Sequence, residues 1–277
     1  MTQAPDDLDF DINIVSSWFQ REQETPFVLI RINEDEIPQW ENCLSTTFRR
    51  CYVTDNMLLS QAKRLDKSID ELIPAKLPDP GSTMSGDFGE ILAYLFQSCD
   101  ALPIKAVGPK KWRLKQDRNK PAPYSDIVHF VLPEWPNSSS DDKLFCAEVK
   151  TKATNTTFEP IKDAIEGCEK DRRSRLADTL VWLRDRLYFD DLGDVGLDEI
   201  NRFLKPDEHP PFKKEHRAIA IICSSLLEEE LDAAPAEEPK NYSVIVIAVP
   251  NLKDTYSSVY QSIVNSPVLT EETAGSQ

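Results

Sequence analysis

Along the 277-residue chain, the segment CAEVKTK at 146–152 places acid and amine side by side. Side chains alternate along a strand, so Glu148, Lys150 and Lys152 share one face while Ala147, Val149 and Thr151 take the other. The β-rich run before it, YSDIVHFVL at 124–132, carries Asp126 near its start, and the Pro, Ser and Asp content of PEWPNSSSDD marks the loop between them. The two runs therefore read as an antiparallel hairpin in which Asp126 lies across from Glu148. Converging carboxylates suit a hard cation such as Mg²⁺, which takes oxygen ligands and leaves room for water and a substrate phosphate. Asp126 and Glu148 would supply the carboxylates and the main-chain carbonyl of Val149 a third oxygen, with Mn²⁺ as a substitute ion. A cation there lowers the pKa of a bound water and neutralises charge developing on a phosphate, and the Lys150 amine can orient that water or stabilise the pentavalent state. The chemistry such an arrangement would serve is phosphodiester hydrolysis.

A fourth candidate, Glu90, interrupts DFGEILAYLFQ, a helix apolar on nearly every side and so expected at a domain centre. Glu90 and Gln97 are seven apart and share a narrow strip with Gly86 and Ala93, from which Glu90 could hold a metal-bound water or assist a second ion. Each residue also has a bland explanation: an exposed E-x-K pair on a strand, an Asp capping a strand start after Pro123, a surface helix charge. Their order and settings together favour chemistry.

The surrounding elements must position these residues. Residues 10–75 mix a strand-like run, PFVLIRI at 26–32, with helical patterns such as NMLLSQAKRLDKSIDELI. AKLPDPGSTMSG at 75–86 reads as a linker, so the chain divides into an N-terminal α+β region at 1–80, a main domain at 81–265 and a flexible tail at 266–277. After the hairpin, Phe158 to Tyr188 keeps a helical step that Arg172 interrupts, which fits one long helix or two short ones. A short helix is expected over 195–204. RAIAIICSSLL at 217–227 and YSVIVIAVP at 242–250 are near-continuous apolar runs, the pattern of strands covered on both faces. Between them EEELDAAPAEEP reads as a mobile acidic loop. The fold class is α/β, a mixed sheet with helices on its faces.

Composition is that of an ordinary globular protein, with 40% hydrophobic and 29% charged residues, and nothing resembles a signal or a membrane-spanning segment. A cytoplasmic location with no membrane partner is expected. The six cysteines form no C-x-x-C pair and read as reduced and structural. His129, His209 and His216 lack metal-ligand spacing, with His129 on the strand face opposite Asp126. No G-x-x-x-x-G-K-[ST] occurs, which excludes a P-loop ATPase. The net charge of −16 is unusual for a protein acting on a polyanion. A local basic window at 105–120, with Lys110, Lys111, Arg113 and Lys115, offers phosphate contacts, joined by Lys152 on the E-x-K strand and by Lys170 and Arg173 in KDRRSR. The acidity implies that a partner delivers the polyanion.

Over residues 80–265 the succession SGDFGEILAYLF, PYSDIVHF, LFCAEVKTK and KDAIEGCEKDRRSRLADTLVWL resembles the HamA nuclease subunit of Hachiman-type bacterial anti-phage defence. More distantly it is similar to the PD-(D/E)xK nuclease superfamily, although Ser125 stands where that name leads one to expect proline. The resemblance implies a PD-(D/E)xK core, DNA as substrate, and a superfamily 2 helicase (HamB-like) as partner; the N-terminal region at 1–80, which carries no recognisable motif, is assigned to docking that partner. It puts the helix acid at Glu90, the metal carboxylates at Asp126 and Glu148, and the catalytic lysine at Lys150. The alternatives are a non-catalytic adaptor of the same fold, binding DNA or a helicase without cutting, and a protein-binding regulator, for which the acidity is the support.

Overall fold

The computed structural model describes residues 8–23, 25–190, 192–235 and 241–268. Helix α1 (Ile12–Trp18), whose first turn Asp11 caps, leads into an antiparallel pair, β1 (Gln20–Gln23) and β2 (Val28–Arg31). PFVLIRI thus yields a strand as expected. Helices α2 (Ile37–Tyr52), α3 (Asp55–Leu65) and α4 (Ile69–Leu72) follow; Thr54 caps α3, and Ser68 with Glu71 forms a capping box on α4. The Pro- and Gly-bearing segment then turns the chain into α5 (Ser82–Asp100), most of whose residues are buried.

Next come β3 (Ala106–Val107), a 3₁₀ turn at Lys111–Leu114, and the expected hairpin of β4 (Ile127–Val131) and β5 (Lys143–Lys152). The helical stretch after it is α6 (Pro160–Lys170) and α7 (Leu176–Arg186), joined by a π turn at Asp171–Arg175 where the sequence pattern breaks. Helix α8 (Leu197–Leu204), strand β6 (Lys213–Cys223), helix α9 (Leu227–Ala233), strand β7 (Ser243–Val249) and α10 (Leu252–Ile263) complete the chain.

Seven strands form one sheet in the order β1-β2-β7-β6-β5-β4-β3. β2, β7, β6 and β5 are parallel, and antiparallel partners sit at both edges, which makes the sheet mixed. The parallel centre needs cover on both faces. Ile219, Ile221, Ile245 and Ile247 pack towards α5 and α10, while Ala218, Ala220, Ile222, Val244 and Val246 pack in a second cluster with Ile161 and Ala164 of α6. A third cluster, Phe130, Leu144, Leu180 and Phe203, seals α7 and α8 against the hairpin. Residues on either side of position 80 share the sheet and the first of these clusters.

Two expectations are corrected. The acidic segment after β6 is not a loop throughout: it begins as α9, held because Glu230 forms a buried ion pair with Lys152; residues 236–240 lie outside the described residues. The segment from 266 is not free at its start, since Arg49 donates to the Ser266 hydroxyl and the Pro267 carbonyl, both at 2.9 Å; residues 269–277 lie outside the described residues. Among the described residues no helix is long and apolar enough to cross a membrane. All six cysteines are free, five of them buried.

Candidate active site

Ile127 pairs with Ala147 in the β4–β5 ladder, so Asp126, one step further, lies level with Glu148. The Asp126 carboxylate accepts the Val149 backbone N–H at 2.8 Å. Glu148 is buried and accepts from two cations: Lys150 at 2.5 Å through one oxygen and Arg175 through the other. Ala218 and Ala220 of β6 stand beside Glu148 and Lys150 in register, small enough to leave the long side chains room. Gly167 of α6 matters for the same reason, because a Cβ there would overlap the Glu148 side chain. Gly89 of α5 similarly approaches β5 so closely that a Cβ would overlap Thr151. Helix α5 thereby brings Glu90 up behind the hairpin, where its carboxylate accepts from the Trp112 indole at 3.0 Å. Asp126, Glu148 and Lys150 lie together at one end of the hairpin, and Glu90 is near enough to Asp126 to feel its charge.

Their electrostatics are strained. Burial, then Asp126 and Asp87, push Glu90 well above the usual carboxylate range. Burial and then Glu148 push Asp126 up to about 7. Burial pulls the Lys150 amine down, but Asp126 and Glu148 outweigh it and leave it above its ordinary value. Buried Lys111 is held below its ordinary value by desolvation, although Asp126 and Glu90 oppose this. Mutually repelling carboxylates are relieved by a divalent cation. Among the described residues no group of three or more His, Cys, Asp and Glu side chains forms a metal cage. Partly exposed Asp126 beside buried Glu148 is a pair of acids that could hold Mg²⁺, which commonly takes one or two carboxylates and fills its other positions with water and phosphate.

Several residues of the site escaped sequence reasoning. Arg175 donates to Asp171 at 2.6 Å and to the Gly167 carbonyl at 2.9 Å while it holds Glu148. Asp171 also accepts from the Ser125 hydroxyl at 2.6 Å, and Thr179 donates to that hydroxyl at 2.9 Å. The π turn creates this arrangement, and such turns concentrate at functional sites. The signal in the sequence is the strip Gly167, Asp171, Arg175, Thr179 at four-residue steps, masked by the neighbouring cations Arg172 and Arg173. Asp87 was also missed; it pairs with Lys115 at 2.5 and 2.6 Å and accepts from the Tyr52 hydroxyl at 2.8 Å.

A sequence model of the HamA family matches residues 9–263, nearly all of the described chain. The chain belongs to the HamA family. The resemblance read from the motifs is thus borne out, and it extends through the N-terminal region, where no motif had been recognised. No curated protein matches the chain.

The nucleic-acid contacts expected of this HamA chain are corrected at four positions. Lys110, Lys111 and Lys152 are buried, the Lys115 side chain is enclosed in its pair with Asp87, and all four serve as internal counter-charges. Lys110 approaches Asp194 at 3.8 Å, and Lys111 donates to the Ser125 carbonyl. Arg113 is half-buried and donates to the Arg50 carbonyl at 2.8 Å. A basic run in a sequence does not reveal which cations the fold consumes. Lys170 and Arg173 are exposed. His129 is packed, as expected, against Tyr94 with ring centroids 4.1 Å apart, and burial holds it well below its ordinary value.

Proposed function

We propose that the chain is a Mg²⁺-dependent DNA nuclease of the PD-(D/E)xK type, the effector subunit of a Hachiman-type anti-phage complex that works with a superfamily 2 helicase. The observation that carries this reading is the convergence of Asp126, Glu148 and Lys150 on one end of the β4–β5 hairpin with Glu90 behind them, in a member of the HamA family.

In the proposed mechanism Asp126 and Glu148, with the Val149 carbonyl, would hold the cation. A bound Mg²⁺ would acidify water and neutralise charge on the phosphate. Lys150, an amine kept protonated by the two acids, donates to the phosphate oxygens as charge builds there. Glu90, held well above the usual carboxylate range by burial and neighbouring acids, accepts from the Trp112 indole and fixes that side of the site. The net charge of −16 supports delivery of DNA by the partner, since like charges oppose encounter with a duplex.

The test is cleavage of end-labelled DNA in Mg²⁺ by the chain alone and with the helicase encoded beside it. Cleavage that the partner enhances and Asp126→Ala abolishes is expected. Tight DNA binding without cleavage under every condition would favour the non-catalytic adaptor instead.

A further inference from the structure

The mouth of the site carries an aromatic pair that the mechanism does not use. Tyr124 lies two residues before Asp126 and is 43% exposed. Its φ of 68° places a non-glycine, aromatic residue in the left-handed region, a strained conformation of the kind that proteins retain at functional sites. Trp182, half-buried on α7, faces it with ring centroids 6.0 Å apart and planes inclined at 55°. Two cations sit over the indole: the Lys111 amine at 5.8 Å and the Arg186 guanidinium at 5.5 Å from the ring centroid. Lys111 also donates to the carbonyl of Ser125, the residue between Tyr124 and Asp126. Rings, cations and acids are therefore one continuous structure.

Bases inside a duplex offer only their edges, because neighbours cover their faces; a base must leave the stack before an aromatic side chain can lie on it. Stacking of unpaired bases on aromatic side chains, with cations beside them, is the usual way that proteins hold single strands without reading sequence. It also suits this chain's charge. With three of the expected phosphate-binding lysines buried, Lys115 consumed by Asp87, and a net charge of −16, affinity built on phosphate contacts is poorly served, whereas stacking does not depend on a basic surface.

We propose that Tyr124 and Trp182 form a stacking platform for an unpaired base beside the acid cluster, so that the site takes single-stranded or locally opened DNA in preference to a closed duplex. What becomes of the bound strand rests on the nuclease reading; the binding itself does not.

The test is a fluorescence-anisotropy titration of labelled oligo-dT and of a labelled hairpin duplex with the full chain in EDTA, where a metal-dependent nuclease leaves both probes intact. The single strand should bind more tightly than the duplex. Tyr124→Gly should weaken single-strand binding about tenfold. The same change should leave the melting temperature equal or higher, since glycine relieves the left-handed strain. Tyr124→Phe, which keeps the ring, should retain binding. Equal affinity for both probes, no single-strand binding at all, or unchanged binding by Tyr124→Gly would overturn the proposal. Cleavage is scored separately in Mg²⁺. Weakened binding by Tyr124→Gly in a chain that never cuts leaves the platform standing and removes the nuclease reading; unimpaired binding in a chain that cuts does the reverse.

Discussion

Strand β5 carries two sets of charges on the same face, four residues apart, and they differ in kind. At its end, Lys152 pairs with Glu230 of α9 and donates a second bond to the Phe158 carbonyl at 2.7 Å, and both charged side chains are only 6% exposed. One cation meets one anion and the pair is closed. At Glu148 the balance is open: Glu148 takes two cations, its charge and Asp126 oppose each other, Glu90 and Asp126 do the same, and Asp126 and Lys150 remain partly exposed. A closed pair serves the fold. An overfull group of like charges at a mouth costs stability and persists where it has something to bind.

The contrast is broken most forcefully at the closed pair. Glu230→Ala strands a buried ammonium and should cost about 3–5 kcal/mol in chemical denaturation, whereas Lys152→Met with Glu230→Leu should cost far less. Neither change should alter the thermal response to Mn²⁺; a lost response would mean that this pair belongs to the site after all. At the open group the expectations reverse. Lys150→Ala should lower cleavage about 10²–10³-fold, in line with the removal of one transition-state donor, with the fold and the Mn²⁺ response kept. Glu148→Ala should lose cleavage and the Mn²⁺ response together.

The pH dependence sharpens the comparison. Asp126 is raised from an ordinary value of 3.8 to about 7, so below 7 a proton occupies the carboxylate that a cation needs. Apparent Mn²⁺ affinity should climb by up to about tenfold per pH unit as pH rises towards 7 and then level off. The linkage to stability has the opposite sign: an acid whose folded value is raised stabilises the fold below its unfolded value, and that contribution is lost as pH rises through about 7. A metal affinity that is flat between pH 5 and 7 would remove Asp126 from the ligand set.

Much of this frame was legible in the sequence, for identifiable reasons. The hairpin, the two apolar parallel strands and the buried α5 announce themselves through period and composition, and the alternation rule alone puts Glu148 and Lys150 on one face. What stayed hidden depends on contacts between distant segments. Nothing local says that Lys152 will meet Glu230, 78 residues away, or that Lys115 will be consumed by Asp87. The π turn hid for a related reason: an extra residue per turn shifts the helical stripe, so Arg175 looked like surface charge when it lies against Glu148. The place of β2 beside β7 also stayed hidden, because a short strand carries no local sign of the strand it joins.

The smallest effect concerns Arg175, and its sign discriminates between two roles. Its guanidinium, held above its ordinary value against burial by Asp171 and Glu148, stays charged at every accessible pH. It occupies one oxygen of Glu148 while Lys150 occupies the other, so an incoming cation must share that carboxylate with two positive charges. If Arg175 acts as a competing counter-charge, Arg175→Ala should tighten Mn²⁺ binding several-fold, about 1 kcal/mol in calorimetry and most visibly at low salt. Arg175→Lys, which keeps the charge but not the planar fork, should then bind metal much as the wild type does. If Arg175 instead holds Glu148 in its ligating pose, both variants should bind Mn²⁺ more weakly, Lys included, because an ammonium cannot reproduce the simultaneous bonds to Glu148, Asp171 and the Gly167 carbonyl. Weaker binding would place Arg175 with the closed pair as a structural charge and reduce the open group to Asp126, Glu148 and Lys150 with Glu90 behind them.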